Sequence, residues 1–411
     1  MSSPLSGIRV LELARILAGP WAGQLLADFG AEVIKIERPG SGDDTRSWGP
    51  PYLTDDAGQE TGESAYFLST NRGKRSVAID ISRPEGQELV RRLALDCDVL
   101  IENFKVGGLK KYGLDYASLA ADHPGLVYCS ITGFGQDGPY AKFAGYDAAI
   151  QAMGGLMSIT GGPDDLPGGG PQKVGVAVAD LMCGMYAVTA IQAALLHRRE
   201  SGQGQHIDLS LLDTQVAWLA NQAANYLIGG QVPGRQGTAH PNIVPYQVFA
   251  TADGHVMLAV GNDSQFALFA QLAGHPEWAT DADYRSNRGR VQHRERLLPM
   301  IEAVMRERSS DDWVAACRSA GVPVSPINDL ARVFSDPQVR HRQMVRHLCH
   351  PLKAELPTVA NPVRFSATPV DYAQPPPLLG ADTQTVLIER LRLDEAEIAE
   401  LGRLGVIDFA G

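Results

Sequence analysis

One acidic residue, Asp180, stands at a junction where chemistry could take place. The apolar run at 174–179 has the composition of a buried strand, and the segment after Asp180 predicts a helix reaching about Arg199. Two interpretations of Asp180 stay open, a helix cap and a nucleophilic carboxylate. Ligands of open α/β sheets bind at the carboxyl ends of strands, and a helix N-terminus favours a negative charge. Its backbone N–H groups would also be placed to hold a developing oxyanion.

Basic and polar residues follow several predicted strand ends. A group of cations at the carboxyl side of a sheet would suit a ligand with phosphates, although a lone Lys or Arg is more commonly a solvated side chain. Tyr146 and Asp147 allow two interpretations, since Asp147 could cap a helix or both residues could line a site. The group is Arg38, Lys74, Arg75, Asn103, Phe104, Lys105 and Lys111.

The segment at 133–138, GFGQDG, formally matches the glycine pattern of a dinucleotide-binding turn. Pro139 follows at once, and no acidic residue appears at the end of the next strand, so we favour a glycine turn near a ligand. No catalytic Ser/His/Asp order, HExxH motif or phosphate-binding loop stands out.

The composition excludes several other classes of protein. The 411 residues are 44% hydrophobic and 20% charged, with a net charge of −11 and no basic run, which argues against a nucleic-acid partner. The start has no signal-peptide pattern and no apolar stretch suggests a membrane span, so we expect a cytoplasmic protein. The five cysteines are scattered without a CxxC pair, which predicts reduced thiols and no metal site.

Alternating strand and helix signals in the first third predict an α/β fold with a mostly parallel sheet. A segment rich in Gly and Pro at 229–245 precedes a predicted hairpin at 246–260 and further helices, which indicate a smaller α+β unit. We expect a large domain at 1–212 and 340–411, a linker and active-site loop at 213–245, a small domain at 246–325 and a return linker at 326–339.

Several long stretches resemble the class III CoA-transferases. They include GIRVLELARILAGPWAGQLLADFGAEVIKIERP, NRGKRSVAIDI, DVLIENF, ITGFGQDGP and LLHRRESGQGQHIDLSLLD, and together they span nearly the whole chain. The resemblance implies a Rossmann-like large domain built from both ends of the chain, a smaller middle domain, and two ring-like subunits interlocked as a homodimer. It also implies that Asp180 is the nucleophile, that CoA is a substrate and product, and that no metal or permanently bound cofactor is needed.

The same resemblance implies which residues bind the substrates. Leu17 stands where relatives have Gln, so its contact with CoA would be through backbone or apolar atoms. The stretches GDDTRSWGPP and GTAHPNIVPYQVF are similar to family members that use succinyl-CoA and a short dicarboxylate such as glutarate. A second carboxylate needs a cation, and the planar fork of arginine suits it; the candidates are Arg46 and Arg235, with His240 as a further donor. The implied CoA contacts are Leu17, Ala18, Arg38, Ile79, Asn103, Phe104, Lys111 and Tyr146.

Two alternatives to a transferase stay open. The related α-methylacyl-CoA racemases place a His where this chain has Tyr146, and a phenol with a pKa near 10 is a poor general base for that reaction. A CoA-binding protein without activity is the other alternative, and the presence of Asp180 argues against it.

Overall fold

The computed structural model describes residues 3–409, which divide into two compact units. The larger unit comprises the described residues of Met1–Leu156, Val174–Ala224 and Arg340–Gly411, and the smaller comprises Met157–Lys173 and Asn225–Val339. The larger unit therefore continues past position 212, where we had expected it to end. The glycine-rich segment before Val174 belongs to the smaller unit.

The strands form one large sheet and three small ones. In chain order they are β1 (Arg9–Glu12), β2 (Glu32–Glu37), β3 (Tyr52–Thr54), β4 (Glu60–Ser64), β5 (Lys74–Ile79), β6 (Val99–Glu102), β7 (Val127–Thr132), β8 (His206–Ser210), β9 (Tyr246–Ala250), β10 (His255–Ala259), β11 (Val324–Pro326), β12 (Val345–His350), β13 (Lys353–Val359) and β14 (Ile407–Asp408).

The helices lie between these strands. In chain order they are α1 (Ala18–Asp28), α2 (Ala65–Thr70), α3 (Pro84–Leu95), α4 (Tyr116–Ala120), α5 (Asp147–Met153), α6 (Leu156–Ile159), α7 (Val178–Ser201), α8 (Leu211–Ala217), α9 (Ala220–Gly229), α10 (Asp263–Leu272), α11 (Asn287–Gln292), α12 (Arg294–Met305), α13 (Ser310–Ser319), α14 (Leu330–Ser335), α15 (Pro337–His341), α16 (Thr383–Leu391) and α17 (Glu395–Arg403), with 3₁₀ turns at Asp44–Ser47, Lys110–Tyr112 and Pro276–Ala279.

The central sheet of the larger unit has seven strands in the order β14-β5-β2-β1-β6-β7-β8. All neighbours pair in parallel except β14, which is antiparallel to β5. Without β14, this is the strand order of doubly wound Rossmann folds. The chain adds β2 and β5 on one side of β1, and then returns to add β6, β7 and β8 on the other side. The reversal here falls between β1 and β6, which is where such folds bind their ligands.

The two faces of this sheet bury alternate residues of the same strands. Val10 and Leu11 are neighbours in β1 but belong to opposite cores, because successive side chains of a strand point to opposite faces. Helices α3 and α16 cover one face, and α1 and α7 cover the other. Since both faces are covered, apolar residues of each strand point to both sides of the sheet, which explains the clear strand signals in the sequence.

Helix α7 begins earlier than the sequence predicts, and no strand precedes it. Residues 174–177 are irregular and largely exposed, so the expectation of a buried strand at 174–179 was wrong. The helix ends at Gly202, whose left-handed backbone (φ 73°) lets its N–H reach the Arg198 carbonyl. By length and composition α7 is long and apolar enough to span a membrane. Half of the residues in its most apolar stretch are buried inside the protein, as is usual for a core helix.

The smaller unit is built on an antiparallel sheet in the order β11-β10-β9. The β9–β10 hairpin turns at Asp253 and Gly254, as the sequence predicts. Phe249, Phe266 and Trp313 are among the side chains that fill its core.

Candidate active site

A cleft of about 370 Å³ opens at the point where the sheet reverses its winding. Its walls come from segments that follow β1, β6 and β7 and from the first turn of α7, which all meet at this edge of the sheet. The cleft brings together seven of the predicted site residues, which are Leu17, Ala18, Asn103, Phe104, Lys111, Tyr146 and Asp180.

Two predicted CoA contacts do not line this cleft. Ile79 is 1% exposed, because it is a core residue at the end of β5 that pairs with Ile407. Arg38 follows β2 and is exposed to solvent.

Asp180 is the third residue of α7 and is half-buried at the end of the cleft. Burial, together with the negative charge of Asp147, raises the pKa of the Asp180 carboxyl to about 7. The helix dipole acts in the opposite direction, but it does not keep the pKa in the ordinary range of a carboxylic acid. The sequence predicted an ionised nucleophile; the structure adds that ionisation is costly here, which makes the carboxylate a stronger base and nucleophile once formed.

Asp147 caps the helix that contains Asp180. Its Oδ1 accepts hydrogen bonds from the backbone N–H of Ala179 at 2.8 Å and of Asp180 at 3.4 Å, and its Oδ2 accepts one from Gln151 at 2.7 Å. The N–H of Val178 donates to the Val176 carbonyl. The first amides of α7 are therefore occupied, so our expectation that they would hold an oxyanion was wrong.

Tyr66 is a neighbour of Asp180 that the sequence did not reveal. Burial, followed by the charges of Asp180 and Asp147, raises the pKa of the Tyr66 phenol to about 12. The ring of Trp48 packs edge-on against it, with centroids 5.2 Å apart. A phenol that keeps its proton in this way can donate a hydrogen bond to a negatively charged oxygen, and no local motif around α2 indicated this.

The rim of the cleft offers aromatic rings and free cations. Tyr146 is 66% exposed and Phe143 is 62% exposed, which is unusual for large apolar side chains and suits contact with a flat ligand. Lys105 and Lys111 also line the cleft, and within residues 3–409 neither forms an ion pair with a carboxylate. These groups together match a ligand that has both a ring and phosphates.

The glycine turn after β7 shapes the cleft without forming a dinucleotide motif. No helix opens directly after Gly138, so the Rossmann fingerprint is absent at this place. Gly133 instead lies against Gly145: a Cβ on Gly133 would come within 2.6 Å of the Gly145 Cα. Both glycines line the cleft, and the close approach of their backbones requires residues without side chains.

The model of CoA-transferase family III matches residues 5–383. The chain belongs to this family. It is 53% identical to the succinate–glutarate CoA-transferase of Agrobacterium fabrum over 94% of this chain and 95% of that one. It is 47% identical to the succinyl-CoA:glutarate CoA-transferase of Mus musculus over 98% of this chain and 90% of that one. A crystal structure of a CAIB/BAIF family protein from Brucella suis is similar over 95% of this chain and 100% of the other, with a TM-score of 0.83 and 49% identity.

In this CoA-transferase Arg46 is a buried residue that binds other parts of the protein. The Arg46 guanidinium is held by both oxygens of Glu37, at 2.9 and 2.8 Å, and by Glu63 at 2.9 Å. It also donates to the Pro377 carbonyl and stacks 3.6 Å above the centre of the Phe67 ring. Since its donors already have partners and only 7% of the residue is exposed, the expectation that Arg46 binds a substrate carboxylate was wrong.

Arg235 and His240 lie in the smaller unit. Arg235 donates to the Gly162 carbonyl and pairs with Asp164, a side chain that is itself 81% exposed. His240 accepts a hydrogen bond from the Asn242 N–H, and burial followed by the charge of Arg294 lowers the pKa of its ring. Arg294 donates to the carbonyls of His240 and Pro241, which fixes the backbone of this loop.

Two basic residues that the sequence grouped with the site have structural partners instead. Lys74 is fully buried and its Nζ lies 3.0 Å from Glu12 and 2.8 Å from the Asn71 side chain. Arg75 pairs with Glu32 and Glu389. Both stand at the start of β5, so the expectation that they supply cations at the carboxyl ends of the strands was wrong.

No cluster of three or more His, Cys, Asp or Glu side chains suited to a metal ion occurs in the described part of the chain.

The charge of Asp147 gives the enzyme a predictable pH dependence. If the ionised form of Asp180 is the nucleophile, as the sequence predicts, its pKa of about 7 means that kcat/KM should fall as the pH drops below that value. Asp147→Asn removes one of the two causes of the raised pKa. The acidic limb of the pH profile, where kcat/KM falls, should therefore move to lower pH. Burial remains, so the limb should stay above the ordinary aspartate pKa of 3.8. The check is the profile of kcat/KM across about pH 5–9.

The matched control is Asp213→Asn on the exposed side of the neighbouring helix α8. It should leave the acidic limb in place. A limb that moves to higher pH in Asp147→Asn would contradict the electrostatic account.

Proposed function

We propose that this enzyme moves CoA from succinyl-CoA to glutarate through covalent intermediates on Asp180. One observation carries the proposal: a half-buried carboxylate with a raised pKa lies in a ring- and cation-lined cleft at the reversal of a doubly wound sheet. The names of the relatives from Agrobacterium fabrum and Mus musculus support the choice of acids.

The chemistry begins with attack by the Asp180 carboxylate on the thioester carbonyl of succinyl-CoA. The carbon–sulfur bond breaks, CoA leaves as a thiolate, and a mixed anhydride of succinate and Asp180 forms. The thiolate then attacks the aspartyl carbonyl of the anhydride. Succinate leaves with the bridging oxygen, and Asp180 is now a thioester of CoA.

Glutarate completes the exchange by the same steps in reverse. Its carboxylate attacks the aspartyl thioester, which releases CoA thiolate and forms a second mixed anhydride. The thiolate attacks the glutaryl carbonyl, and glutaryl-CoA leaves while the Asp180 carboxylate is restored. Each step exchanges acyl groups of similar energy, so no nucleotide is hydrolysed. Water must be kept from the anhydride, because hydrolysis would waste the thioester.

The CoA moiety suits the rim described above. The cations of Lys105 and Lys111 would face its phosphates, and the exposed rings of Phe143 and Tyr146 would face its adenine or the pantetheine arm. Tyr66 would donate a hydrogen bond to the oxygen that gains charge when Asp180 or a thioester carbonyl is attacked.

Arg235 stays our hypothesis for the cation that binds the second carboxylate of glutarate, because its ion-pair partner Asp164 is exposed and could be displaced, whereas Arg46 is committed to the core. Arg235→Met should raise the KM for glutarate roughly 10- to 100-fold, because a charge-assisted hydrogen bond contributes about 1.5–3 kcal/mol. The KM for butyrate, which has a single carboxylate, should change little. The measurement is transfer from succinyl-CoA to a panel of mono- and dicarboxylic acids, with the exposed Arg332→Met in the same unit as control. Equal use of butyrate and glutarate by the unaltered enzyme would show that no second-carboxylate site exists.

We also infer a homodimer. Large apolar side chains stay exposed on α7 and directly after α8: Tyr186 and Leu196 are 42% and 63% exposed, and Trp218, the residue that follows α8, is 40% exposed. A surface of this kind is buried in stable assemblies. Light scattering should give twice the chain mass of 44.1 kDa, and a single-chain mass would refute the inference.

A further inference from the structure

The turn between β1 and α1 contains a strained residue at the wall of the cleft. Ile16 has a φ of 73°, in the left-handed region. A β-branched side chain rarely adopts this conformation, because its methyl groups crowd the backbone. Such strain persists only where the surroundings hold it, and it concentrates at ligand sites.

A buried carboxylate holds this strained residue. Both oxygens of Asp43 accept the backbone N–H of Ile16, each at 3.1 Å. Asp43 is 3% exposed and is fixed in turn by Lys35 at 2.9 Å and by the N–H and hydroxyl of Thr45. Lys35 is itself buried and bound to Glu12. The acceptor for Ile16 is thus part of a rigid charged network beneath the cleft.

An amide side chain holds the residue before it. The Oδ1 of Asn103 accepts the N–H of Arg15 at 3.0 Å, and its Nδ2 donates to the Arg15 carbonyl at 2.7 Å. The resemblance to the family implied that Asn103 contacts CoA. In this structure both ends of its amide are already used by the backbone of the turn.

We propose that Asp43 and Asn103 are positioning residues, which hold the turn Arg15-Ile16-Leu17 in the shape that receives CoA. The inference rests on the proposed function only in taking this cleft as the CoA site. We call Asp43 and Asn103 the clamps of this turn. If either clamp is removed, the free protein relaxes toward an unstrained φ at Ile16, and CoA must then bind a minor conformation. The apparent affinity falls by the fraction of protein that retains the competent turn.

The test is a pair of double-mutant cycles read out by calorimetric titration with CoA itself. Asp43→Asn and Asn103→Ala are each made alone and in an Ile16→Gly background. Glycine adopts the left-handed region without strain, so in the Ile16→Gly background the turn keeps its shape without the clamps. Each clamp variant should weaken CoA binding roughly 5- to 30-fold in the Ile16 protein, which corresponds to the strain of about 1–2 kcal/mol for that conformation. In the Ile16→Gly background each loss should shrink to less than about 3-fold.

The matched control is Asp44→Asn. Asp44 is adjacent to Asp43 but pairs with the exposed side chain of Arg15, not with the backbone of the turn. Its effect on CoA binding should be less than about 3-fold, since exposed ion pairs contribute little. Thermal unfolding identifies any variant that fails to fold, and the Asn103→Ala cycle decides the matter if Asp43→Asn is unstable.

Kinetics with succinyl-CoA and glutarate give a second readout. Loss of the clamps should raise the KM for succinyl-CoA and leave kcat at saturation within about 3-fold, because the reacting groups are untouched. Equal losses of CoA binding in the Ile16 and Ile16→Gly backgrounds would overturn the proposal and make Asn103 a direct ligand contact. A protein that binds CoA with the expected coupling but transfers none to glutarate would refute the proposed acids and support the clamp.

Discussion

Asp180→Asn is expected to reduce kcat for CoA transfer by about 10⁴-fold or more, since the carboxamide cannot form the anhydride. The fold should be retained, because asparagine has the same shape and the Asp180 side chain accepts no hydrogen bond among those described. Stability near pH 8 should be unchanged or higher. The folded protein binds the Asp180 proton more tightly than the unfolded chain, so ionisation of this group weakens folding as the pH rises toward 7. A neutral side chain removes that loss.

Trapping with hydroxylamine identifies the covalent intermediate directly. After addition of succinyl-CoA, the peptide that contains Asp180 should gain the mass of a hydroxamate, and without acyl-CoA it should not. Asp213→Asn, on the exposed side of α8, should be labelled at Asp180 as the unaltered enzyme is. Activity well above a trace in Asp180→Asn, or a hydroxamate at another residue, would refute the mechanism.

Arg46→Met is expected to lower the free energy of unfolding of the larger unit by about 3–5 kcal/mol. The substitution leaves the carboxylates of Glu37 and Glu63 buried without their cation, and a buried charge that loses its partner is strongly destabilising. The measurement is the midpoint of urea unfolding, followed by a probe of the larger unit. Arg403→Met is the control: its ion pair with Glu400 is exposed, so its loss should cost no more than about 1 kcal/mol.

The same variant separates a structural role from a substrate role. If Arg46 is structural, the protein that remains folded should keep the ratio of its KM values for glutarate and butyrate. A selective rise in the KM for glutarate with unchanged stability would restore Arg46 as the carboxylate ligand.

The sequence by itself determined most elements of the central sheet and the helix that contains Asp180. Residues 84–95 combine a proline in the first turn with a stripe of apolar residues, which are both local signals of a helix, and α3 (Pro84–Leu95) forms there. The signals of β1, β2, β6 and β7 are likewise local, since each of these segments contains two or more apolar residues typical of strands. Long family motifs identified a CoA-transferase, and the family match confirms that assignment. The same motifs predict that Asp180 is the nucleophile, which stays a prediction.

The tertiary structure alone decided which charges are free and which are committed. The run at 174–179 has the composition of a strand, yet β8 occupies the place beside β7. Residues 174–177 are irregular, and residues 178 and 179 begin α7. Asp147 caps α7 from a helix 33 positions away in sequence, and no local pattern encodes that contact. The sequence made Arg46 a candidate for a substrate carboxylate, because its partners Glu37 and the Pro377 carbonyl reach it only in the folded chain. Periodicity and composition report which residues are buried or helical, whereas the partner of a charged side chain depends on distances between segments that only folding brings together.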